Sequence, residues 1–512
     1  MKKGRITRFH LVLVLIGLML LVSLVTVGAA TSGPFAGKNI TVAVFGAGVK
    51  GPVSGPLYHW RAEWEKMTGA KLNIVEIPLP QLHEKIFTDL ITGTGRFDGI
   101  IGWSQYMGEY IAGNYIVPID KYMKNPKFPK WDPSEVVNAH REILQWNGKY
   151  YSPPYDQNTH IMYYRRDILG NPAYQQEFKK KYGYNLPVPP KTWDQYIDVA
   201  EFFNGWDWNK DGQKDYGVTM PLKRGWEGWN WYMMMAASYS IFPGPEVDRY
   251  HNVFHFDPET MEPLVNEPGH VRALEKMVRL AKCGPEAMTS WGLAESWDVF
   301  LKGNAALMTC WGDVTPLAQE TSIKGQVGAA ALPGSKEVWD RENGKWVTVP
   351  EVNLVGNTTG QWNGVISKYS KNPEVVYHLL AFLASKEVAW WNITHGWTGI
   401  NPGYNWSFLP PYGTGSLKDF EEAGWDSNDA KYYSNAHAET YKRKTFLSYL
   451  RIPGVDRYYD LLDLRISEAI GGISTPQKAL DALRDDWQRA TRDIGLTSQK
   501  IFYRQSIGYE KK

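Results

Sequence analysis

The chain has 512 residues, enough for two to four domains, and its 43% hydrophobic content supplies large cores. The formal charge of +2 is set by Lys2, Lys3, Arg5 and Arg8; without that first segment it is −2, which removes the electrostatic case for nucleic-acid binding. Tryptophan, at 23 residues, exceeds what cores need, and indoles favour places where an apolar face meets a polar partner, so composition points to a recognition surface.

Residues 1–30 join that basic start to an apolar run, Leu11 to Val27, and to the small residues Gly28, Ala29 and Ala30. This is the layout of a secretory signal peptide. The run is long for such a peptide and short for a span of about 20 residues, so an uncleaved N-terminal anchor is the second reading. No cysteine lies near the cleavage region to indicate a lipoprotein anchor. Cys283 and Cys310 are the only cysteines. Export permits a disulfide between them, and two buried thiols is the alternative.

Asn39–Gly48, "NITVAVFGAG", reads as a buried strand ending in a Gly-rich turn. A lone Gly-x-Gly before a Pro-rich loop is not a dinucleotide fingerprint. Trp60, Trp64 and Met67 then recur at helical spacing before Gly69. "AKLNIVEIP" and "FDGIIGW" add two strands, and this alternation argues for an α/β domain with a mainly parallel sheet. Thr192 is a candidate N-cap with Gln195 completing a capping box. Val271, Leu274, Met277, Val278 and Ala281 form the stripe of a further helix, as do Leu480, Leu483 and Trp487 after Thr475 and Pro476. These stripes are core. Residues 496–512 read as a polar C-terminal tail.

Between these elements, "DWNKDGQKDYG" places Asp207, Asn209, Asp211 and Asp215 at positions 1, 3, 5 and 9 of an EF-hand-like loop. Gly212 takes the turn position, and Gln213 would offer its carbonyl at position 7. Hard oxygen donors in alternation suit Ca2+ as a structural ion. Position 12 is Val218, so the bidentate acid of a sensor loop is missing. An ion-free Asx-rich turn is the competing reading.

Several segments in order resemble the extracellular solute-binding proteins of carbohydrate ABC importers, the maltose-binding-protein-like group. They are "YYSPPYDQNTHIMYYRRDIL", "PPKTWDQY", "FLKGNAALMTCWGD", "VGAAALPG" and "GVISKYSKNPEVVYHLLAFLAS". The resemblance implies a type II periplasmic-binding fold: two α/β lobes, a hinge crossed more than once and a ligand cleft between the lobes. It implies one lobe from 38–158 plus 335–400 and another from 159–334 plus 401–495. It also implies closure on the ligand by hinge motion and delivery to membrane permease subunits. The chain carries no G-x-x-x-x-G-K-[ST] loop, so it is not the ATPase of such a system.

A sugar presents C–H patches that lie on aromatic faces and hydroxyls that each need a partner once desolvated. Short turns pairing an aromatic with a hydrogen-bonding group are therefore the candidate ligand-binding residues: Trp103 and Gln105; Tyr155, Asp156 and Gln157; Trp226 and Trp229; Trp311 and Asp313; Trp362 and Asn363; Trp397 and Asn401. The resemblance places the turns at 102–106, 155–157, 311–313, 361–363 and 397–401 near the cleft. Arg224 is the one obvious candidate for an anionic ligand, and the aromatic set favours a neutral sugar or oligosaccharide. The expectation is a monomeric, non-enzymatic binding protein outside the membrane. A secreted glycosidase is the alternative, because two carboxylates facing one bond are invisible in sequence.

Overall fold

The computed structural model describes residues 32–226 and 228–509; the signal-like segment 1–30 and Glu227 lie outside the described residues. In chain order the strands used below are β1 (Asn39–Phe45), β2 (Lys71–Ile77), β3 (Gly99–Trp103), β4 (Pro154–Asp156), β5 (Ile161–Arg165), β6 (Tyr216–Thr219), β7 (Ala305–Cys310), β8 (Val327–Ala331), β9 (Ser335–Asp340), β10 (Lys345–Asn353) and β11 (Trp362–Ile366). The helices are α1 (Gly55–Thr68), α2 (Leu79–Thr92), α3 (Met107–Ala112), α4 (Trp193–Phe202), α5 (Gly228–Ser240), α6 (Pro268–Ala281), α7 (Ser427–Tyr441), α8 (Val455–Ile470), α9 (Pro476–Ile494) and α10 (Leu496–Ile507).

Two sheets divide the chain into two α/β lobes. The first has strand order β2-β1-β3-β11-β4 and the second β8-β5-β7-β6. β1 pairs in parallel with β2 and β3, while β11 runs antiparallel to β3 and to β4. Strands covered on both faces read as apolar runs, and in β1 Ile40, Val42, Ala43 and Val44 are wholly buried. α1 stops where the sequence says it should: Gly69 adopts φ 73° and its N–H caps the Glu65 carbonyl. Thr192 caps α4 through the Gln195 N–H at 3.2 Å. The Gln195 side chain reaches back one residue further than the expected box, to the Lys191 N–H at 2.8 Å.

The chain passes from the first lobe to the second between β4 and β5, a crossing of four residues. The two later borders differ from those the resemblance implies. The β9–β10 hairpin packs on α5 and α6 of the second lobe, so the return falls after Asn353 rather than at 335. Residues 401–425 stay on the first lobe. Tyr404 bridges Val136, the Phe420 ring meets Trp390 edge-on at 5.6 Å, and Trp425 Nε1 donates to the Thr394 carbonyl at 2.8 Å. The last passage therefore precedes α7, which lies on β8 and β5.

The C-terminal segment is also ordered rather than a tail. α10 buries Tyr503 between the lobes' contact partners: its ring meets Phe256 at 5.4 Å, while Gln505 accepts from Trp146 Nε1 at 2.9 Å. Among the described residues no helix is long and apolar enough to cross a membrane.

Candidate ligand-binding site

The carboxyl ends of strands in open α/β sheets are where ligands bind, because loops and helix starts converge there. In the first lobe that edge carries Phe45 at the end of β1, Trp103 at the end of β3, and Trp362 opposite Trp103 at the start of β11. Trp362 also faces Asp156, the last residue of β4. The Trp362 ring lies 5.9 Å from Phe45, stacked, and 5.3 Å from Trp103. Three aromatic faces thus form one row, with a carboxylate at its end.

In the second lobe the matching edge is set by Ile161 opposite Cys310, where β5 and β7 pair next to the crossing from the first lobe. His160 precedes the first and Trp311 follows the second. His160 stands edge-on to Trp311 at 4.6 Å and to Trp231 at 4.8 Å. Trp231 Nε1 is fixed by the Thr309 carbonyl at 2.8 Å, and the Trp311 carbonyl accepts from the Tyr163 hydroxyl at 2.5 Å.

Asp156 joins the two edges. Its Oδ1 accepts from the Asn401 backbone N–H at 3.0 Å and from Asn401 Nδ2 at 3.2 Å. Asn401 Oδ1 in turn accepts from the Tyr433 hydroxyl of α7 at 2.8 Å. Gly312 permits this approach: a Cβ there would lie 1.6 Å from Asn401 Oδ1. Burial raises the Asp156 carboxyl well above the usual carboxylate range, and nearby Asp313 adds to it. Burial pushes Asp313 itself up to about 7.

What marks this region is polar side chains that are buried yet unsatisfied. Asp156 Oδ2, both amide atoms of Gln157, both ring nitrogens of His160 and of His437, Trp311 Nε1 and Gln105 Oε1 have no protein partner. Buried polar groups cost roughly 1–3 kcal/mol each when left unpaired, so such a cluster needs water or a ligand with many hydroxyls. His160 and His437 are held neutral, pushed down to about 3 by burial. A neutral imidazole offers one donor and one acceptor, the same pair a hydroxyl offers.

Behind the cluster a network sets orientation. Tyr441 donates to the Gln157 carbonyl at 2.8 Å, and His140 Nε2 lies 2.9 Å from the Tyr441 oxygen. Burial pushes His140 down to about 4, so its neutral ring offers one donor and one acceptor between the Tyr441 hydroxyl and Gln361 Oε1, which lies 2.7 Å from Nδ1. Gln361 Nε2 donates in turn to Asn363 Oδ1 at 3.0 Å.

The structure brings Trp103, Gln105, Asp156, Gln157, Trp311, Asp313, Trp362, Asn363 and Asn401 to these two edges and the segment linking them. Tyr155 is buried with its hydroxyl on the Val53 carbonyl. Trp397 packs at the start of α1, 6.0 Å from Trp391. Trp229 lies flat on Tyr459 at 3.9 Å, and Trp226 lies against Gly292. His160, His437 and Tyr433 were not singled out from sequence. The spacing of Tyr433, His437 and Tyr441 along α7, every fourth residue on one face, is the signal that would have found two of them.

The Asp207–Asp215 loop lies on the second lobe before β6. Asp207 accepts from the Asp211 and Gly212 N–H groups, both at 3.0 Å, and Asp215 from those of Trp208 and Asn209. The Asn209 amide nitrogen sits between Asp215 Oδ1 at 2.7 Å and Asp211 Oδ2 at 3.3 Å, the position a cation would take. Among the described residues no cluster of three or more His, Cys, Asp or Glu has metal-holding geometry. Cys283 and Cys310 are buried thiols with no disulfide between them.

Two α/β lobes around a buried, polar and aromatic junction define a two-lobed solute-binding fold. The chain belongs to the bacterial extracellular solute-binding protein family, whose sequence model matches residues 59–405. It is 24% identical over 336 residues to a probable ABC transporter-binding protein of Deinococcus radiodurans, covering 63% of this chain and 67% of the relative. It is 22% identical over 304 residues to a maltotriose-binding protein of Pyrococcus abyssi, covering 59% of this chain and 56% of that relative. The chain thus spans little more than half the length of the second relative. Among solved structures, a solute-binding protein of Agrobacterium radiobacter in complex with ribitol superposes with TM-score 0.66 at 20% identity, covering 89% of this chain and all of that one. Maltose-bound MalE3 of T. maritima superposes with TM-score 0.63 at 19% identity, over 88% of this chain and 99% of the other.

Proposed function

We propose that the chain is the substrate-binding component of an ABC importer, capturing a neutral sugar or oligosaccharide outside the membrane and delivering it to permease subunits. The observation that carries this reading is the set of buried, unpartnered donors and acceptors between two aromatic sheet edges. Hydroxyl-rich ligands satisfy donors and acceptors together while offering C–H faces to Phe45, Trp103, Trp362 and Trp311. Among the described residues, the main influences on Asp156 and Asp313 include no lysine or arginine, which favours a neutral ligand over a phosphate. Relatives that bind maltotriose and solved neighbours holding maltose or ribitol support the ligand class. The same relatives, being binding proteins, favour capture over the glycosidase alternative. Calorimetric titration against a panel of neutral oligosaccharides, polyols and glycerol phosphate tests it. Saturable binding of a neutral member supports the reading, and binding confined to the anionic ligand overturns it.

We further propose that the protein acts as a monomer held outside the cytoplasmic membrane, after cleavage of residues 1–30 or tethered by them. Calcium in the Asp207–Asp215 loop rests on its donor set alone: it requires the Asn209 amide to turn its oxygen inward, releasing Asp211 and Asp215 to the ion. A melting temperature that rises with Ca2+ and falls with chelator supports it; one indifferent to both refutes it.

A further inference from the structure

A second group of titratable side chains joins the lobes beside the aromatic row. His83 lies on α2, Tyr106 and Glu109 at the start of α3, all on the first lobe beside the β3 edge. Asp456 lies in the first turn of α8, which packs on α5, α6 and α9 of the second lobe. His83 Nε2 approaches Glu109 Oε2 to 3.0 Å and Asp456 Oδ2 to 3.5 Å. The imidazole is clamped flat on the Tyr106 ring at 3.6 Å, and its Nδ1 lies 3.4 Å from the Tyr110 hydroxyl. The Gly454 N–H, at the start of α8, donates to the other Glu109 oxygen at 3.0 Å. The two surfaces are in tight register: a Cβ on Gly108 would lie 2.0 Å from the Arg451 carbonyl oxygen.

We propose that His83, Glu109 and Asp456 form a proton-dependent latch that holds the two lobes closed. With His83 charged, one cation lies between two carboxylates from opposite lobes, and closure gains their attraction. With His83 neutral, Glu109 and Asp456 face each other across the junction with no cation between them, and closure must overcome their repulsion. The other groups facing the latch do not substitute for the histidine. Tyr106 and Tyr110 are neutral phenols kept so by burial, the Tyr106 hydroxyl donates to Asp456 whether or not His83 is charged, and Asp460, one turn along α8, adds negative charge to Asp456. Arg224 acts on Asp460 and Asp463. Tyr106 also stacks at 6.5 Å on Trp103, so the latch adjoins the aromatic row.

The latch rests on the two-lobe closure of the proposed function but not on the ligand's identity, so its test uses ligand-free protein. Nitroxides on Lys66→Cys in α1 and Lys180→Cys on the second lobe, both exposed, report the interlobe distance by pulsed dipolar spectroscopy, with the native thiols buried. Lowering the pH from about 8 to about 5 is expected to raise the short-distance population of the labelled wild type. His83→Gln is expected to lose that response and to lower the closed population at mildly acidic pH roughly two- to fivefold, the scale of a partly exposed ion pair. Asp456→Asn, at a half-exposed side chain, is expected to raise the closed population at alkaline pH. Distance distributions identical in all three proteins at both pH values would overturn the proposal. So would a pH response that persists in His83→Gln. Failure to bind any sugar would leave these distances unaltered and would count against the capture reading alone.

Discussion

Asn401 donates to one oxygen of Asp156 from both its backbone and its side chain, and leaves the other oxygen buried without a protein partner. The carboxylate is thereby oriented with one face committed to the fold and one available to a ligand. Asn401→Ala removes the side-chain donor and strands Tyr433 as well. The expected result is a stability loss of about 1–3 kcal/mol by urea denaturation, together with at least tenfold weaker ligand binding by calorimetry.

Trp103, like Phe45, is half-buried, so its removal separates binding from folding better than that of buried Trp362. Trp103→Ala is expected to weaken sugar binding by roughly tenfold, the loss of about 1–1.5 kcal/mol of ring contact, with a small shift in melting temperature. Trp362→Ala is expected to cost about 3–5 kcal/mol of stability in addition.

Asp313 gives a signed pH dependence. Burial raises its folded value to about 7, above the ordinary aspartate range near 4. Between these values the folded state binds more protons than the unfolded one, so this residue's contribution to stability falls as pH rises from about 4 to about 7 and levels off beyond. Asp313→Asn should therefore gain on the wild type, by an order of 1–4 kcal/mol, as pH rises through that window. Parallel denaturation curves at several pH values check it, and a constant offset between the two proteins contradicts it.

α10 offers a test of the C-terminal segment. Tyr503 is buried against Phe256 and its hydroxyl accepts the Phe256 N–H at 3.2 Å. Tyr503→Ala is expected to cost about 3–5 kcal/mol and Tyr503→Phe about 1 kcal/mol, read from denaturant midpoints. A tail without a structural role would show neither loss.

The features legible in sequence are those whose physics is local. The Gly69 stop, the Thr192 and Thr475 caps and the apolar runs of the sheets depend on neighbours a few residues away. Asp156, Trp362 and Asn401 are candidates from sequence because short turns there pair an aromatic with a hydrogen-bonding group, and the structure places all three at the junction of the sheets. His160 and His437 were not, since their significance lies in being buried without partners, which only assembly of both lobes creates. The lobe borders at 335 and 400 failed for a related reason. Whether the β9–β10 hairpin or residues 401–425 lie on one lobe or the other is decided by packing partners such as α5 and Val136, remote in sequence. The reading of 496–512 as a tail missed Tyr503 because its partner is nearly 250 residues away.

Phe45, Trp103 and Trp362 sit on adjoining strands, so hydrogen-bonded backbone fixes their spacing at about 4.8 Å per strand before any ligand arrives. Little side-chain freedom is left to lose there on binding. The entropic penalty of capture then resides in bringing the lobes together, so substitutions remote from the sugar that alter interlobe contact should tune affinity as strongly as those that touch it.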